Sequence, residues 1–306
     1  MQILSLGAPQ ALESCCVALG FFDGVHLGHA AVLRAAAEAA KAQGLPFLVY
    51  TFRAADAPKG EAALLSDDGE RAALFAALLA DYCIFDDFST ARTLSAECFV
   101  RELLCRRLHA RVAVSGEDFR FGYRATGDVS LLFRLLAAEG ARTLTLPPVM
   151  QNGIPISSSR IRTALAEGDV LTAASLLGRP YALTLPVLHG QARGHEMGFP
   201  TANQALPVGR AIPADGVYVT EGITADGRCF RGVTDIGYRP TVKGRERRME
   251  THLLDFSGDL YGAPLTVRFL ARLRGEAVFS DLSALGEQIK KDVMEARTWK
   301  TQNGSN

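Results

Sequence analysis

Apolar and amphipathic segments alternate along the first half of this 306-residue chain. Apolar runs typical of buried strands cover 12–22, 46–52, 82–85, 111–115 and 142–147. The segments between them have helical spacing and predict helices over 28–43, 68–80, 95–108 and 128–139. Strands that alternate with helices in this way indicate an α/β fold with a parallel, doubly wound sheet.

The pattern changes after Gly168. A short helix is predicted over 169–177, and the Gly-Arg-Pro that follows is typical of a helix end. From 181 to about 274, short apolar segments are separated by turn residues, which favours an antiparallel β-barrel. Apolar residues at helical spacing then predict a closing helix over 280–298.

The composition agrees with two folded domains. Hydrophobic residues make up 48% of the chain and charged residues 22%, which is ordinary for a globular protein. The formal net charge is zero, so the overall electrostatics favour neither nucleic acid nor a membrane surface as a partner. We expect residues 1–178 to form one domain, 179–300 a second, and 301–306 a polar tail.

The cysteines and the N-terminus bear on the cellular compartment. None of the six cysteines forms a CxxC pair, so neither a zinc knuckle nor a dithiol redox motif is expected. We expect all six to be buried structural residues in a reducing compartment. The chain start lacks the basic residues of a secretory signal, and no long uncharged apolar segment occurs. A cytoplasmic protein is predicted; self-association is left open.

The first candidate site is the segment GFFDGVHLGH, from Gly20 to His29, at a predicted strand-to-helix turn. Backbone N–H groups at a helix start bind anions, and Gly28 lets a phosphate approach the backbone. His26 and His29 add donors that can stabilise charge on a transferring nucleotidyl group. An isolated HxGH is more often an ordinary helix start, but the flanking GFFDG makes this match more specific.

Two later segments join it: 116–128, which reads GEDFRFG and then GD, and 156–162, ISSSRIR. Hydroxyls and an arginine fork suit the phosphates of ATP and pyrophosphate, although a serine run is also typical of a helix cap. Together the three resemble the nucleotidylyltransferase domain of bacterial bifunctional riboflavin kinase/FAD synthetases. The resemblance implies that His26, His29 and Arg162 catalyse adenylyl transfer. It implies nucleotide contacts from Gly20, Phe22, Asp23, Gly24, Gly28, Asp118, Ser158 and Ser159.

The second half contains the motif GFPTAN, residues 198–203. Thr201 and Asn203 are two residues apart, so on a strand they share one face. A hydroxyl and an amide oxygen on one face suit Mg²⁺ that carries ATP phosphates. The motif resembles the PTAN signature of riboflavin kinases, which implies that the preceding loop, with Gly190 and Gly194, covers ATP.

Two further segments, DIGYRPT at 235–241 and ETHLLDF at 250–256, extend this resemblance. A lone glutamate that opens a strand is normally a solvated charge. By resemblance Glu250 is the general base, because a carboxylate near a primary hydroxyl can accept its proton during attack on the γ-phosphorus. The resemblance also implies flavin contacts from Phe52, Asp118, Arg239 and Glu250.

The resemblance runs from residue 15 to about 293 and implies a bifunctional enzyme. Such an enzyme phosphorylates riboflavin to FMN and adenylylates FMN to FAD, with ATP and Mg²⁺ at each site. The sequence departs from the family pattern at 52–58, at Leu185-Pro186 and at His195. These departures leave open the alternative that only one of the two activities is retained. A flavin-binding regulator without turnover and a different HxGH adenylyltransferase are further alternatives. The retained catalytic residues disfavour the former, and the PTAN segment disfavours the latter.

Overall fold

The computed structural model describes residues 1–6, 12–56, 63–189, 198–241 and 244–300, without the side chains of 239–241, 244–246 and 282. Contacts between Cα atoms divide the chain into two compact units, Met1–Ser158 and Ser159–Asn306. The domain boundary at residue 178 stays a prediction. Each unit is built around its own sheet.

The first unit contains a six-stranded sheet whose strands are all parallel. The strands are β1 (Gln2–Leu4), β2 (Cys15–Leu19), β3 (Phe47–Phe52), β4 (Tyr82–Asp86), β5 (Ala110–Gly116) and β6 (Arg142–Leu146). Their order in space is β1-β4-β3-β2-β5-β6. A separate hairpin joins β7 (Met150–Gln151) to β8 (Ile154–Pro155). The predicted doubly wound parallel sheet is confirmed, although three-residue β1 is too short to give a periodic signal.

Helices cover both faces of this sheet. They are α1 (Leu27–Gln43), α2 (Asp68–Ala77), α3 (Phe88–Ala91), α4 (Ala96–Cys98), which continues in π-helical turns over Phe99–Arg107, and α5 (Val129–Ala138). Leu33 of α1 and Phe75 of α2 belong to the core on one face. Val100 of the π-helical segment and Leu132 of α5 belong to the core on the other. Burial on both faces explains why the central strands β2 and β3 are almost continuously apolar.

The second unit contains a six-stranded antiparallel sheet that is nearly closed into a barrel. Its strands are β9 (Ala182–Pro186), β10 (Ala202–Ala205), β11 (Gly216–Ile223), β12 (Cys229–Thr241), β13 (Gly244–Leu253) and β14 (Pro264–Arg274), in the order β10-β13-β12-β11-β14-β9. The remaining helices are α6 (Ser158–Ala166), α7 (Val170–Leu177) and α8 (Leu282–Thr298). The predicted barrel and closing helix are confirmed.

The edge strands β9 and β10 meet in a seam. Within the described residues, Leu188 donates its N–H to the carbonyl of Asn203 at 2.8 Å. The Gln204 amide donates to the carbonyl of Leu185 at 2.7 Å. Pro186 ends β9, at a strand edge where a residue without a backbone donor is tolerated. One side chain and one backbone bridge therefore close the barrel in this part of the chain.

Side chains alternate between the two faces of the barrel wall. The buried hydroxyls of Thr220, Thr234 and Thr251 form a chain on one face, with separations of 2.8 and 2.9 Å. Val233, the neighbour of Thr234, packs on the other face in a core that includes Ala296 of α8. The site residues predicted on β10 and β13 share this second, outer face, because they alternate with the inward threonines.

The cysteines are buried where they lie inside the parallel sheet. Cys15, Cys16 and Cys83 are core residues of β2 and β4. Cys98 and Cys229 are exposed, so the expectation of burial is wrong for these two, and Cys105 is only half-buried. Cys229 is the first residue of β12. Cys98 lies within the helical segment 96–107, next to exposed Glu97, so its side chain is on the solvent side of that helix.

Two candidate active sites

The turn after β2 has an unusual backbone. Phe22 (φ 53°), Gly24 (φ 76°) and Val25 (φ 40°) all have left-handed dihedral angles. A Cβ atom on Gly24 would lie 2.8 Å from the Leu65 side chain, so both its φ and the space around it require glycine. The turn reverses the chain tightly and leads directly into α1.

Asp23 locks this turn to the segment that precedes α2. The side chain is 2% exposed, and its Oδ1 accepts N–H bonds from Leu65 at 2.9 Å and Ser66 at 3.1 Å. The Ser66 hydroxyl in return accepts the N–H of Gly24 at 2.8 Å. Asp23 therefore holds the turn in shape, and its predicted contact with the nucleotide stays a prediction.

His26 and His29 come together at the start of α1. His26 is the N-cap, and its Nδ1 accepts the backbone N–H of His29 at 3.2 Å. The two imidazole rings stack with centroids 3.6 Å apart, and Phe22 meets His29 edge-on. Because Nδ1 of His26 accepts, its neutral ring carries the proton on Nε2. His26 is buried, whereas Gly28 and His29 are half-buried.

The first turn of α1 has the properties of an anion site. The helix is 17 residues long, and the first N–H groups of a helix have no partner within it. In the described part of the chain, no hydrogen bond uses the N–H of Leu27 or Gly28. A Cβ atom on Gly28 would stand 3.1 Å from the His26 ring. The helix start can thus hold a phosphate beside two imidazoles.

The serine motif begins at the same turn. The Ser158 hydroxyl donates to the carbonyl of Asp23 at 3.1 Å, so the structure brings this predicted residue to the GFFDG segment. Ser159 and Arg162 lie further along α6 and belong to the second compact unit. Ser159 is exposed and Arg162 is half-buried. Their predicted roles stay predictions.

Other predicted residues of the first unit lie at carboxyl ends of its strands. Asp118 is exposed and lies just after the end of β5. A Cβ atom added to Gly116 would lie 2.8 Å from the Asp118 carboxylate. Phe52 is the last residue of β3. A Cβ on Gly20 would meet the Phe22 ring at 2.8 Å, so Gly20 leaves room for that ring.

The barrel brings Thr201, Asn203 and Glu250 together. The register of β10 and β13 puts Asn203 opposite Glu250. The Thr201 hydroxyl donates to Oε2 of Glu250 at 3.3 Å, and the Asn203 amide donates to the carbonyl of Thr201 at 3.2 Å. Asn203 is 5% exposed, yet its Oδ1 has no hydrogen-bond partner among the described residues. Such an unpaired oxygen beside a hydroxyl and a carboxylate fits a hard cation.

Part of the predicted kinase site falls outside the described residues. Gly190, Gly194 and His195 fall outside the described residues, and so does the side chain of Arg239. The backbone of Arg239 belongs to β12, opposite Glu246. The ATP-covering loop and the Arg239 flavin contact therefore stay predictions.

Comparisons with known proteins bring the two sites into one family. A family model described as FAD synthetase matches residues 8–160, and one described as riboflavin kinase matches 177–300. The bifunctional riboflavin kinase/FMN adenylyltransferases of Escherichia coli (strain K12) and Pseudomonas fluorescens are 36% and 38% identical, over 95% and 93% of this chain and 93% of each relative. The chain belongs to the bifunctional riboflavin kinase/FMN adenylyltransferase family. The resemblance inferred from the motifs is confirmed.

A further relative and a solved structure also match over nearly the whole chain. The Bacillus subtilis (strain 168) enzyme is 34% identical over 92% of this chain and 90% of its own length. A crystal structure described as a macrolide-efflux protein from Streptococcus pneumoniae superposes with a TM-score of 0.87 at 30% identity, covering 97% of this chain and 99% of that one. In the part of this chain that the structure describes, no helix is long and apolar enough to cross a membrane.

Asp235 gives the kinase site a second carboxyl group. It lies on β12 directly opposite Glu250 and keeps some exposed surface. The surrounding protein limits its solvation, which raises its pKa from 3.8 to about 6. The carboxylates of Glu250 and Glu276 raise the pKa further, and Arg274 opposes them. At neutral pH, two neighbouring strands therefore present adjacent negative charges.

The region around Asp235 is tied to α8. Arg274 of β14 makes a two-oxygen ion pair with the buried Asp292 of α8, with contacts of 2.8 and 3.2 Å. A Cβ atom on Gly237 would be 2.0 Å from Oε1 of Glu276, so only glycine lets that carboxylate approach β12. The closing helix thus helps to fix the outer face that carries Glu250.

Sequence reasoning missed the residues that hold the first site together. Asp67 and Glu70 form a capping box, a sequence signal that predicts the start of α2. Nothing in that signal shows that Leu65 and Ser66 bind Asp23, because the partners are 42 and 43 residues apart. Arg71 gives no signal either, since a charged helix residue is normally solvated.

Proposed function

We propose that this protein converts riboflavin to FMN on its barrel and FMN to FAD on its parallel-sheet unit, with ATP as co-substrate in both reactions. The observation that carries the proposal is the meeting of Thr201, Asn203 and Glu250 on paired strands. The same chain has an imidazole-flanked helix start at His26 and His29. Each arrangement suits triphosphate chemistry by itself, and the family supplies both halves.

In the kinase reaction, Glu250 accepts the proton of the riboflavin 5′-hydroxyl while that oxygen attacks the γ-phosphorus of ATP. The bond from the γ-phosphorus to the oxygen that bridges it to the β-phosphorus breaks, and ADP leaves. Little covalent chemistry is required, so catalysis depends mainly on position. The cross-strand pairing with Asn203 holds Glu250 at a fixed distance from the residues that orient the ATP phosphates. The half-buried Glu250 is accessible from the outer face of the barrel.

Mg²⁺ is the metal that we propose for this kinase site. The oxygen atoms of Thr201 and Asn203 would hold it, and the unpaired Oδ1 of Asn203 supports that choice. Protein oxygen ligands and substrate phosphates are what Mg²⁺ ordinarily takes. When bound, Mg²⁺ would neutralise negative charge on the ATP phosphates. Thr201 and Asn203 orient the triphosphate toward Glu250.

In the adenylyl transfer, a phosphate oxygen of FMN attacks the α-phosphorus of ATP, and pyrophosphate leaves. The N–H groups at the start of α1 hold the phosphate near Gly28. Nε2–H of His26 and the half-buried His29 donate to the oxygens on which charge increases. We propose that Ser158, Ser159 and Arg162 bind the pyrophosphate.

The remaining assignments follow the family pattern. In the FAD-forming unit, Phe52 and Asp118 contact the flavin, and both lie at carboxyl ends of parallel strands, where ligands of such sheets bind. In the kinase, Arg239 and Glu250 contact it. Cytoplasmic location and the absence of a nucleic-acid partner stay predictions.

The decisive experiment is chromatographic identification of products. Purified protein with riboflavin, ATP and Mg²⁺ is expected to form FMN first and FAD later. With FMN in place of riboflavin, FAD and pyrophosphate are expected in equal amounts. Omission of ATP is the control, because both conversions require it.

Each other result has a definite meaning. FMN without FAD, together with no turnover of supplied FMN, would show that only the kinase is active. FAD from FMN without phosphorylation of riboflavin would show the reverse. Tight flavin binding without ATP consumption would support a regulator and reject the proposal.

A further inference from the structure

Arg71, on α2, is a fully buried arginine outside the two proposed sets of reacting groups. Its side chain has no exposed surface. Burying a guanidinium is costly unless it is paired and hydrogen-bonded, so a residue of this kind needs a structural or functional reason. The reason lies in the groups that its two terminal nitrogens contact.

Both terminal nitrogens bind the loops at the carboxyl edge of the parallel sheet. Nη1 donates to the carbonyl of Phe21 at 2.6 Å and to the hydroxyl of Thr51 at 3.1 Å. Nη2 donates to the carbonyl of Phe52 at 2.6 Å. Thr51 itself donates to the Phe21 carbonyl at 3.0 Å, which closes the network. One guanidinium therefore joins the loop after β2 to the end of β3.

Asp68 completes this connection one helical turn earlier. Its Oδ1 pairs with Nη2 of Arg71 at 2.5 Å and accepts the N–H of Ala54 at 2.8 Å. The Asp68–Arg71 pair thus binds both the last carbonyl of β3 and the start of the following turn. Residues 53–56 contain no proline, so hydrogen bonds rather than ring constraints hold this part of the turn.

The shape of the site explains why arginine suits it. The planar fork binds two carbonyls in different loops at the same time, which an ammonium group cannot do with the same geometry. The rings of Phe21 and Phe85 lie 4.9 and 5.1 Å from the guanidinium carbon and shield it from water. An apolar residue in its place would leave the Phe21 and Phe52 carbonyls without this donor.

The two joined loops lead to the two substrates of the proposed adenylyl transfer. The Phe21 carbonyl immediately precedes the turn that leads to His26 and His29. The Phe52 carbonyl belongs to the residue for which we propose a flavin contact. We propose that Arg71, held by Asp68, is a positioning residue. It fixes the position of the proposed flavin-binding segment, residues 52–54, relative to the turn at 21–25 that leads to the nucleotide site. The inference rests on the proposed FAD-forming role of this unit.

The test compares Arg71→Met, Arg71→Lys and Asp68→Asn by steady-state kinetics. With FMN as the varied substrate, Arg71→Met is expected to lower kcat/KM for FAD formation by about 10- to 100-fold, because displacement of about 1 Å between reactants has effects of that size. Arg71→Lys is expected to recover part of the loss, since an ammonium still reaches one carbonyl. Asp68→Asn is expected to raise the KM for FMN by a smaller factor, about 3-fold.

Val49→Ala provides the matched structural control. Val49 is fully buried in β3 beside the same loops, so its truncation loosens the core without touching the network. At equal loss of thermal midpoint, Val49→Ala is expected to keep the FMN kinetics of the parent. Kinase kcat/KM for riboflavin is expected to stay unchanged in every variant, because that reaction belongs to the other unit.

The outcomes separate this inference from the function on which it rests. If the parent protein forms no FAD from FMN, the proposed function fails. If the parent is active and Arg71→Met matches it, or if Val49→Ala loses as much kcat/KM at equal midpoint, the positioning role is wrong. Should Arg71→Met not fold, parent-like FMN kinetics in both Arg71→Lys and Asp68→Asn overturn the proposal.

Discussion

The helix-start site of the first unit and the strand site of the barrel differ in what fixes their geometry. In the barrel, Thr201 and Asn203 are two residues apart, and the register of β10 and β13 sets Glu250 beside them. In the first unit, the shape depends on bonds between segments that are distant in sequence, such as Asp23 with Ser66. A site built by strand register can be read from local spacing, whereas one built by tertiary contacts cannot.

The largest expected effect tests whether the two sites work separately. Glu250→Ala is expected to slow FMN formation by about 10²- to 10⁴-fold, the usual range for loss of a general base. Adenylylation of supplied FMN is expected to continue at the parent rate. Chromatographic rates with each substrate measure both effects, and Glu295→Ala, on the exposed side of α8, is the control. Loss of both reactions in a folded variant would contradict separate sites.

The converse substitution addresses the helix start. His29→Ala is expected to lower the rate of FAD formation by about 10²- to 10³-fold, because a donor to the developing charge is lost. Conversion of riboflavin to FMN should be unaffected. His109→Ala, a histidine after the π-helical segment, is the matched control. If His29→Ala forms FAD at the parent rate, the imidazole has no part in the reaction.

A metal titration sharpens the account of the barrel site. Asn203→Ala is expected to raise the Mg²⁺ concentration for half-maximal FMN formation by about 10-fold or more, since the unpaired Oδ1 is removed. Thr201→Ser keeps the hydroxyl and should stay near the parent value. An unchanged Mg²⁺ requirement in Asn203→Ala would exclude this oxygen as a ligand.

A stability measurement examines the long-range bonds of the first unit. Asp23→Ala removes the acceptor of two backbone N–H groups, which is expected to lower the free energy of unfolding by about 1–3 kcal/mol. Urea unfolding followed by circular dichroism gives the value, with exposed Glu97→Ala as control. An effect no larger than that of the control would show that the turn holds its shape without Asp23.

The smallest effect concerns the charge pair in the barrel. The folded-state pKa of Asp235, about 6, exceeds the ordinary value of 3.8, so the folded protein binds this proton more tightly than the unfolded chain does. Its destabilising charge is present above pH 6 and is lost as pH falls toward 4. Asp235→Asn is therefore expected to raise Tm at pH 8 by about 1–3 °C and to bring no gain at pH 4. Equal shifts at both pH values would contradict the raised pKa.

Much of the architecture could be predicted from the sequence, for physical reasons that differ between elements. Buried strands such as β3 are continuous apolar runs, and Asp281 caps α8 where the amphipathic pattern begins. Strand β1 has three residues, too few for a period to emerge. The exposure of Cys98 was missed because residue type alone does not show which side of a helix faces solvent.

The sites were predictable to different extents. The contact of Thr201 with Glu250 follows from strand alternation and register, and motif order indicates it. The anchoring of Asp23 at Leu65 and the burial of Arg71 depend on where α2 returns to the sheet. No local pattern encodes that return, so these residues emerge only in three dimensions.

The incomplete closure between β9 and β10 has a thermodynamic consequence. Asn203 contributes its carbonyl to the bridge with Leu188 and its side chain to the proposed cation site, so one residue serves both the seam and the ligand. A ligand that binds Asn203 stabilises the closed barrel relative to conformations in which β9 and β10 separate. By mass action, this binding increases the free energy of unfolding. Amide hydrogen exchange at Leu188 should therefore slow as nucleotide and magnesium saturate the protein, which makes the seam a built-in reporter of occupancy.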